Sequence, residues 1–316
     1  MTENWLLVVN PHARNGSNGK LAERAGRLLD AEGVRYDKVE TTSLHHVSQV
    51  VSQGRTSGYS RVVAIGGDGT AHHVGNGAIA AGLPFGLIPA GSGNDFAGAI
   101  GLSNDLEHAI ETLVHGRREA IGVVKVTTRE GVHYSINLVD AGIGAQAAVA
   151  AQTRLKWLRG PLRYNLISLR TILGHRDTPA LVTLDDGEPR EIDLTMVICG
   201  FGQTAAAGMR FLPDSRFTNE TMQGCVFHDA GKLKALRALQ RVWRAGHIDM
   251  TDIVEVFTAA RVTVETVDPS APLWVESEGE VRGRTKATME ALPRGLEVFV
   301  PEAFSLTGPS RLVKRF

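Results

Sequence analysis

The chain has 316 residues, of which 43% are hydrophobic and 22% are charged, and its 34 basic residues balance its 34 acidic ones. These fractions are typical of folded globular proteins, which excludes extensive disorder, and the length favours two domains over one. The balanced charge argues against general nucleic-acid binding, and two cysteines are too few for a disulfide framework or a cysteine-rich zinc site.

The first third of the chain alternates short β-branched runs with helical patterns. Strands are predicted at residues 6–9, 34–40, 61–65 and 85–88, and helices at 19–31, 45–53, 71–81 and from residue 94. Such alternation is typical of parallel βαβ units whose strands are buried on both faces. We therefore predict a parallel α/β domain over residues 1–120.

From about residue 120 the pattern becomes strand-rich, with two helical segments. Strands are predicted at residues 123–128, 133–139, 180–184, 194–199, 254–257, 262–266 and 273–276, and helices at 158–173 and 232–244. Turn signals such as Asp185-Asp186-Gly187 separate some of these runs. This pattern indicates a second, mostly antiparallel β domain over residues 121–300. Gly142 and Gly144 are interpreted as packing glycines and not as a dinucleotide fingerprint, because no βαβ unit surrounds them.

Three glycine-rich loops follow predicted strands of the first domain, at residues 10–19, 66–70 and 89–96. Ligands of an open parallel sheet bind beyond the carboxyl ends of its strands. Glycine lets the backbone approach an anion, and the first N–H groups of the helix after each loop attract phosphate. The three loops together predict a phosphorylated ligand, with simple turn formation as the alternative for any one of them.

Asp68 lies within the second of these loops, where it would repel phosphate unless a cation intervenes. Mg²⁺ fits that position because it prefers oxygen ligands and is commonly shared between carboxylates and substrate phosphates. The alternative is an aspartate that only caps a turn. Thr70 could cap the next helix and also donate to a phosphate.

No segment predicts export or a membrane span. Met1 to Asn4 lack the basic start of a signal peptide, and glycine and proline interrupt the longest apolar stretch, residues 78–90. We therefore expect a cytoplasmic protein, with peripheral contact at the inner face of the membrane left open. Two segments suggest such contact: residues 154–159, which combine Trp157 and Leu158 with basic residues, and the basic, apolar tail 311–316.

Gly66-Gly67-Asp68-Gly69-Thr70 resembles the G-G-D-G-T signature of the diacylglycerol kinase catalytic family, whose relatives include sphingosine, ceramide and NAD kinases. The loop from Pro89 to Ala97 is similar to the P-x-G-T-G-N-D-F-A segment of the lipid-kinase branch. Further similar segments are Asn10-Pro11, Thr41 with His46, Asn137 with Gly142 to Gly144, Gly160 to Tyr164, Ala206 to Met209, Pro213 to Ser215 and Glu278-Gly279-Glu280.

The resemblance implies an N-terminal Rossmann-like parallel α/β nucleotide domain and a C-terminal, mostly antiparallel, β-sandwich-like domain. It also implies that the final strand, with the C-terminal segment 301–316, returns to the first domain. The implied reaction uses ATP and Mg²⁺ and transfers the γ-phosphoryl group to a lipid hydroxyl, such as that of diacylglycerol.

The resemblance also assigns roles to residues. Asp68 would bind the metal and act in catalysis, Glu278 would be the general base, and Glu280 would support it. The nucleotide side would comprise Asn10, Thr41, Gly66, Gly67, Asp68, Gly69 and Thr70. The acceptor side would comprise Gly93, Asn94 and Asp95.

Some positions depart from the family pattern. Glu278 stands where the family has aspartate, and Asn219-Glu220 where relatives often have the D-D of a structural Mg²⁺ site, so that second metal is in question. These departures leave two alternatives open: transfer to a soluble hydroxyl compound, and a nucleotide-binding regulator without transfer activity. A homodimer also stays open.

Overall fold

The structure is a computed structural model that describes residues 4–10, 18–41, 47, 50–51, 54–153, 160–206 and 208–306. These residues form two compact units. Unit 1 contains the residues up to Ile121 together with those from Arg294, and unit 2 contains Gly122–Pro293. The corresponding divisions predicted from the sequence are at residues 120 and 300.

Unit 1 is built on a parallel sheet. Its elements up to the first division are β1 (Asn4–Val9), α1 (Asn18–Ala31), β2 (Arg35–Glu40), β3 (Arg61–Gly66), α2 (Asp68–Ala81), β4 (Phe85–Pro89), α3 (Asp95–Ala99) and α4 (Leu106–His115). The strands pair in the order β2-β1-β3-β4, all parallel. The predicted parallel α/β architecture is confirmed. Helix α4 was not predicted, although Asp105 marks its start by accepting the His108 N–H at 2.8 Å.

Unit 2 is mostly antiparallel. The remaining elements are β5 (Arg117–Thr128), β6 (Gly131–Ser135), β7 (Leu138–Gly142), α5 (Ile143–Thr153), α6 (Gly160–Gly174), β8 (Thr178–Leu184), β9 (Arg190–Gly200), β10 (Met222–His228), α7 (Gly231–Val242), β11 (Val254–Ala259), β12 (Arg261–Thr266), β13 (Trp274–Ser277), β14 (Glu280–Arg284) and β15 (Ala287–Val300). The pairing order is β14-β13-β7-β9-β8-β12-β15, and β10 joins β9 to β11. The predicted fold class is confirmed.

The prediction of one strand over residues 133–139 is wrong. The chain forms β6 and β7 with a bend between them, because the Asn137 carbonyl accepts the N–H groups of Phe201 and Gly202 instead of continuing a ladder. Helix α5 was also missed, along with β10 and β14, while β15 was expected only as the returning strand that the resemblance implies. Gly144 is a packing glycine as expected, since a Cβ there would lie 2.6 Å from an oxygen of Asp140.

Strand β15 begins in unit 2 and ends in unit 1, where Val298 pairs with Phe85 of β4 in parallel. The Arg61 guanidinium lies between two rings of unit 1, 4.2 Å from the Trp5 centroid and 4.4 Å from that of Phe299. Phe299 also belongs to the core of unit 1. The returning strand is therefore an integral part of that core.

Candidate active site

The carboxyl ends of β1, β2, β3 and β4 bring most of the predicted nucleotide residues to one edge of the unit 1 sheet. Asn10 donates from Nδ2 to the Thr70 hydroxyl at 3.3 Å, and Thr41 donates its N–H to the Val9 carbonyl at 2.9 Å. Both threonines are buried. The structure thus joins residues that are up to 60 positions apart in the chain.

Two glycine loops meet backbone to backbone at this edge. A Cβ on Gly91 would lie 2.5 Å from the Gly67 Cα, and a Cβ on Gly67 would lie 2.9 Å from the Gly91 Cα. The Ala90 N–H donates to the Gly66 carbonyl at 2.8 Å. Side chains at either glycine would force the loops apart, so this close approach explains the residue type at both positions.

Asp68 connects the same two loops. Its carboxylate accepts the N–H of Asn94 at 2.8 Å and the N–H of Phe96 at 3.2 Å, at the start of α3. Asn94 has a left-handed backbone (φ 55°), accepts the Gly91 N–H at 2.9 Å and donates to Asn104 at 2.6 Å. Asp68 and Asn94 therefore hold the loop geometry, whatever ligand the edge receives.

Two helices of unit 1, α2 and α3, begin at this edge. Gly67 is the N-cap of α2 and offers no side-chain acceptor to the first turn, which contains Gly69 and Thr70. Gly93 is exposed and Asp95 is half-buried in the first turn of α3. A helix N-terminus without a side-chain cap, flanked by glycine, is a suitable place for phosphate.

In unit 2, Glu278 lies in the two-residue turn between β13 and β14. Both turn residues have positive φ, 50° at Glu278 and 82° at Gly279, as tight hairpin turns require. The Oε1 atom accepts the Ser135 hydroxyl at 2.6 Å and the Asn137 N–H at 2.9 Å. The carboxylate is thus held against the bend between β6 and β7 and is not a freely solvated turn acid.

A second pair of carboxyl groups supports this turn and was missed by the sequence analysis. Glu276 of β13 lies opposite Asp140 of β7 in the antiparallel register. Glu276 accepts the Gly279 N–H at 2.7 Å, and Asp140 accepts the Ala145 N–H at 2.8 Å. Glu276 therefore fixes the turn that carries Glu278.

Both carboxyl groups of this pair have raised pKa values. Burial raises the pKa of Asp140 to about 6, against the opposing effects of the Glu276 and Ala145 hydrogen bonds. Burial and the neighbouring Asp140 carboxyl raise the pKa of Glu276 well above its ordinary value. Two carboxylates in contact within a buried site cannot easily ionise together.

Glu280, the predicted support of Glu278, lies on β14 with Oε2 3.5 Å from the Arg282 guanidinium. Arg282 in turn donates from Nε to the Ser277 hydroxyl at 3.0 Å. At the position in question for a second metal, the Asn219 N–H closes a turn on the Arg216 carbonyl. Within the described ranges, no three His, Cys, Asp or Glu side chains gather in a cluster suited to a metal.

Unit 2 also contains an apolar cavity of about 90 Å³ that the sequence did not indicate. It is lined from α5, α6 and α7 and from two strands of the sheet, and its polar lining is limited to three hydroxyl residues, Ser168, Thr171 and Thr195. The apolar lining includes Ile143, Ala147, Met196, Phe227, Ala238 and Leu239. Its chemistry suits a hydrocarbon group.

Several predicted features lie outside the described residues: Pro11 to Ser17 of the first loop, His46, the segment 154–159 and the tail 311–316. Across the portion that is described, no helix has the length and hydropathy needed to cross a membrane.

Both halves of the chain match known protein families. Residues 4–126 match the family described as "Diacylglycerol kinase catalytic domain", and residues 137–300 match the "YegS C-terminal NAD kinase beta sandwich-like domain". The second match alone spans more than half of the chain.

Two curated relatives are similar over nearly their full lengths. A protein named "Diacylglycerol kinase" from Mycobacterium tuberculosis is 24% identical over 296 residues, covering 93% of this chain and 94% of the relative. One named "Probable lipid kinase YegS-like" from Xanthomonas euvesicatoria is 26% identical over 314 residues, covering 96% and 98%. A crystal structure of a diacylglycerol kinase from Bacillus anthracis has the same fold, with a TM-score of 0.71 at 17% identity and coverage of 96% and 98%.

Proposed function

This chain belongs to the diacylglycerol kinase family, with a YegS-type C-terminal domain, and from that premise we propose that it is an ATP- and Mg²⁺-dependent lipid kinase. The proposed reaction transfers the γ-phosphoryl group of ATP to a lipid hydroxyl, such as that of diacylglycerol. We place the reaction on the cytoplasmic side of a membrane.

One observation carries the nucleotide half of this proposal: the backbone contact between Gly67 and Gly91 beside the uncapped start of α2. It leaves main-chain N–H groups, and no bulky side chains, at the carboxyl edge of a parallel sheet. Phosphoryl transfer depends mainly on positioning and on stabilisation of phosphate charge, which such an edge can supply.

Asp68 is the residue that would hold Mg²⁺. It is a carboxylate at the phosphate edge, its backbone bonds fix its direction, and each carboxylate oxygen can accept more than one bond. Mg²⁺ commonly uses one or two carboxylates and takes its other ligands from phosphates and water, so a single aspartate suffices. When bound, the metal neutralises phosphate charge.

Glu278 would accept the proton of the attacking hydroxyl. The Ser135 hydroxyl has one proton and two acceptors within reach, Glu278 Oε1 at 2.6 Å and the Leu138 carbonyl at 2.9 Å. When Glu278 gains a proton, Ser135 can turn its own proton to Leu138 and accept the new hydrogen bond. The same hydroxyl therefore accommodates both protonation states of the base.

The apolar cavity in unit 2 favours a lipid over a soluble acceptor. A soluble polar metabolite gains little from a cavity lined almost entirely by hydrocarbon, whereas each methylene that leaves water for such a site contributes roughly 0.8 kcal/mol. The cavity is large enough for only a short part of an acyl chain.

The proposal is tested with radiolabelled ATP, diacylglycerol vesicles and a panel of soluble hydroxyl compounds. We expect Mg²⁺-dependent labelling of the lipid, abolished by a chelator. Phosphoryl transfer to a soluble compound, without transfer to the lipid, would show that the acceptor is a soluble hydroxyl compound. ATP binding without acceptor-dependent ADP release would instead support a non-catalytic regulator.

The role of Glu278 is tested with Glu278→Gln, which keeps an oxygen for Ser135 and Asn137 but removes the base. We expect turnover to fall by about 10² to 10⁴ with nucleotide affinity retained. Glu188→Gln, at an exposed position of the same unit, is the matched control. Near-normal turnover in Glu278→Gln would remove this residue from the mechanism.

A further inference from the structure

Helix α7 presents an unusually basic outer face. It contains Lys232, Lys234, Arg237 and Arg241 and no acidic residue, and Arg244 follows its end. All five side chains are exposed. Arg237 and Arg241 are spaced at i and i+4 on one side of the helix, and Arg244 follows at i+7 just beyond its end.

The opposite face of α7 is apolar and lines the cavity of unit 2. Ala235, Ala238, Leu239 and Val242 contribute to the cavity wall, and Ala238 and Val242 are buried. The helix is thus amphipathic, with a basic side toward solvent and an apolar side toward a space suited to hydrocarbon.

An exposed apolar tip completes this surface. Leu233 is 71% exposed and stands between two lysines, and Leu173, at the end of α6, is 55% exposed. The ends of the two helices are joined, because the Gly231 N–H donates to Asp177, four residues beyond Leu173, at 3.4 Å. Exposed leucines beside basic residues suit insertion at a lipid headgroup boundary.

The charge of this surface is incompletely neutralised by the protein. Asp252 pairs with Lys234 at 2.8 Å, and Asp249 lies near Arg241 and Arg244. No carboxylate of the described chain forms an ion pair with Arg237, Arg241 or Arg244. The basic groups of α7 and Arg244 therefore outnumber the carboxylates that form ion pairs with them.

We propose that the basic face of α7, with Leu233 at its tip, docks the protein on an anionic lipid bilayer. Charge complementarity selects the anionic surface, the leucine selects a surface with an apolar interior, and the opposite face of the same helix lines the apolar cavity. This inference rests on the proposed lipid acceptor. A nucleic acid would satisfy the charge but would leave Leu233 and the cavity without a role.

Sedimentation with vesicles tests the docking itself. The wild-type protein should bind vesicles that contain phosphatidylglycerol, bind neutral phosphatidylcholine vesicles weakly, and dissociate as salt is added. Arg237→Gln with Arg241→Gln and Arg244→Gln should weaken binding on the order of 100-fold, because each basic group near such a surface contributes about fivefold. Leu233→Ser should weaken it by about tenfold.

The control replaces three exposed basic residues elsewhere, Arg27→Gln with Lys38→Gln and Arg129→Gln, and should change binding by less than about twofold. Unchanged circular dichroism spectra and melting curves establish that each variant is folded. Equal binding of the arginine variant and the wild type, or equal binding of the wild type to neutral and anionic vesicles, would overturn the proposal.

A second assay separates this proposal from the proposed function. Short-chain diacylglycerol in neutral detergent should be phosphorylated at the same rate by the wild type and the arginine variant, while turnover on anionic vesicles falls only in the variant. Vesicle binding that depends on α7, without lipid phosphorylation, would sustain docking and refute the kinase assignment. Lipid phosphorylation, together with vesicle binding that does not depend on the basic residues of α7, would support the kinase assignment and refute docking by α7.

Discussion

The carboxyl edge of unit 1 and the β13–β14 turn of unit 2 are built in different ways. The edge is made of main chain, with Gly67 and Gly91 in backbone contact and Asp68 bonded to two N–H groups. The turn is made of side chains, with Glu278 held by Ser135 and with Glu276 against Asp140. A main-chain site is sensitive to changes in shape, whereas a site built from buried and half-buried carboxyl groups is sensitive to pH.

The largest effect is expected from Gly91→Ala. The added Cβ would lie 2.5 Å from the Gly67 Cα, and backbone on both sides prevents an easy adjustment. We expect a loss of at least about 3 kcal/mol in the free energy of unfolding and a loss of nucleotide binding. Urea unfolding and fluorescence titration with ATP measure the two effects.

Gly98→Ala is the matched control, because nothing lies within 4 Å of its added Cβ. Alanine at this helical position should be neutral or stabilising by up to about 1 kcal/mol. Similar stability of the two variants would show that the backbone at this edge can move to accommodate a side chain, so that its shape is not tightly restricted.

The next effect is the pH dependence of unit 2. An acid with a raised pKa in the folded state holds its proton more tightly there than in the unfolded chain. Its stabilisation is therefore complete below about pH 4 and is lost as the pH rises through about 6 for Asp140. The loss for this group is on the order of 3 kcal/mol.

Glu276→Gln should flatten this dependence. The glutamine amide can donate to Asp140 while its oxygen accepts the Gly279 N–H, so both hydrogen bonds survive without the second acid. From about pH 5 to about pH 8 the wild type should lose more stability than the variant in urea unfolding, by roughly 1 to 2 kcal/mol. The exposed Glu188→Gln should follow the wild type, and parallel curves for all three proteins would refute the raised pKa of Glu276.

The difference between the carboxyl edge of unit 1 and the turn of unit 2 also explains which site features could be predicted from the sequence. The glycine loops and Asp68 are contiguous runs after strong strand patterns, so their meeting at one edge follows from parallel topology. The Asp140–Glu276 pair depends on the register of β7 against β13, which no local pattern encodes. Ser135 likewise reaches Glu278 only because of the bend at Asn137, which distant backbone groups create.

Local signals were also insufficient for some elements. Asp105 is a good N-cap, yet it stands between Asn104 and Leu106 in a stretch rich in turn residues, and α4 was missed. Strand β15 contains Pro293 and Gly295 near the point where it passes from unit 2 to unit 1. Those residues normally end a strand, and here tertiary packing, including Phe299 against Arg61, overrides that tendency.

A smaller effect is expected from Arg61→Lys. This variant tests a side-chain contact in unit 1, away from the backbone contacts of its carboxyl edge. Arg61 stacks on Trp5 and Phe299 and donates to the Leu113 carbonyl at 2.8 Å. Lysine keeps the charge but not the planar stacking, so we expect a loss of about 1 to 2 kcal/mol in urea unfolding. The exposed Arg27→Lys should change stability by less than about 0.5 kcal/mol; equal values for the two would show that the returning strand is held by apolar packing alone.

The smallest effect is a loss of stability at low pH that we expect from a buried histidine of unit 2. His247 of unit 2 is fully buried, stacks on Phe227 and lies with Nε2 3.0 Å from the Phe211 carbonyl, which requires that nitrogen to be the donor. Burial lowers the pKa of His247. The unfolded chain therefore takes up a proton as the pH falls below about 6.5, and stability should drop by about 1 kcal/mol by roughly pH 5.

His247 lowers the stability as the pH falls, whereas the carboxyl pair lowers it as the pH rises. The two effects can therefore be separated in one series of urea unfolding curves. His247→Phe should remove only the decline below about pH 6.5, because phenylalanine fills the stacked position without a titrating nitrogen. Glu276→Gln should alter only the decline on the alkaline side. If His247→Phe left the acid-side decline intact, the buried imidazole would not be its source.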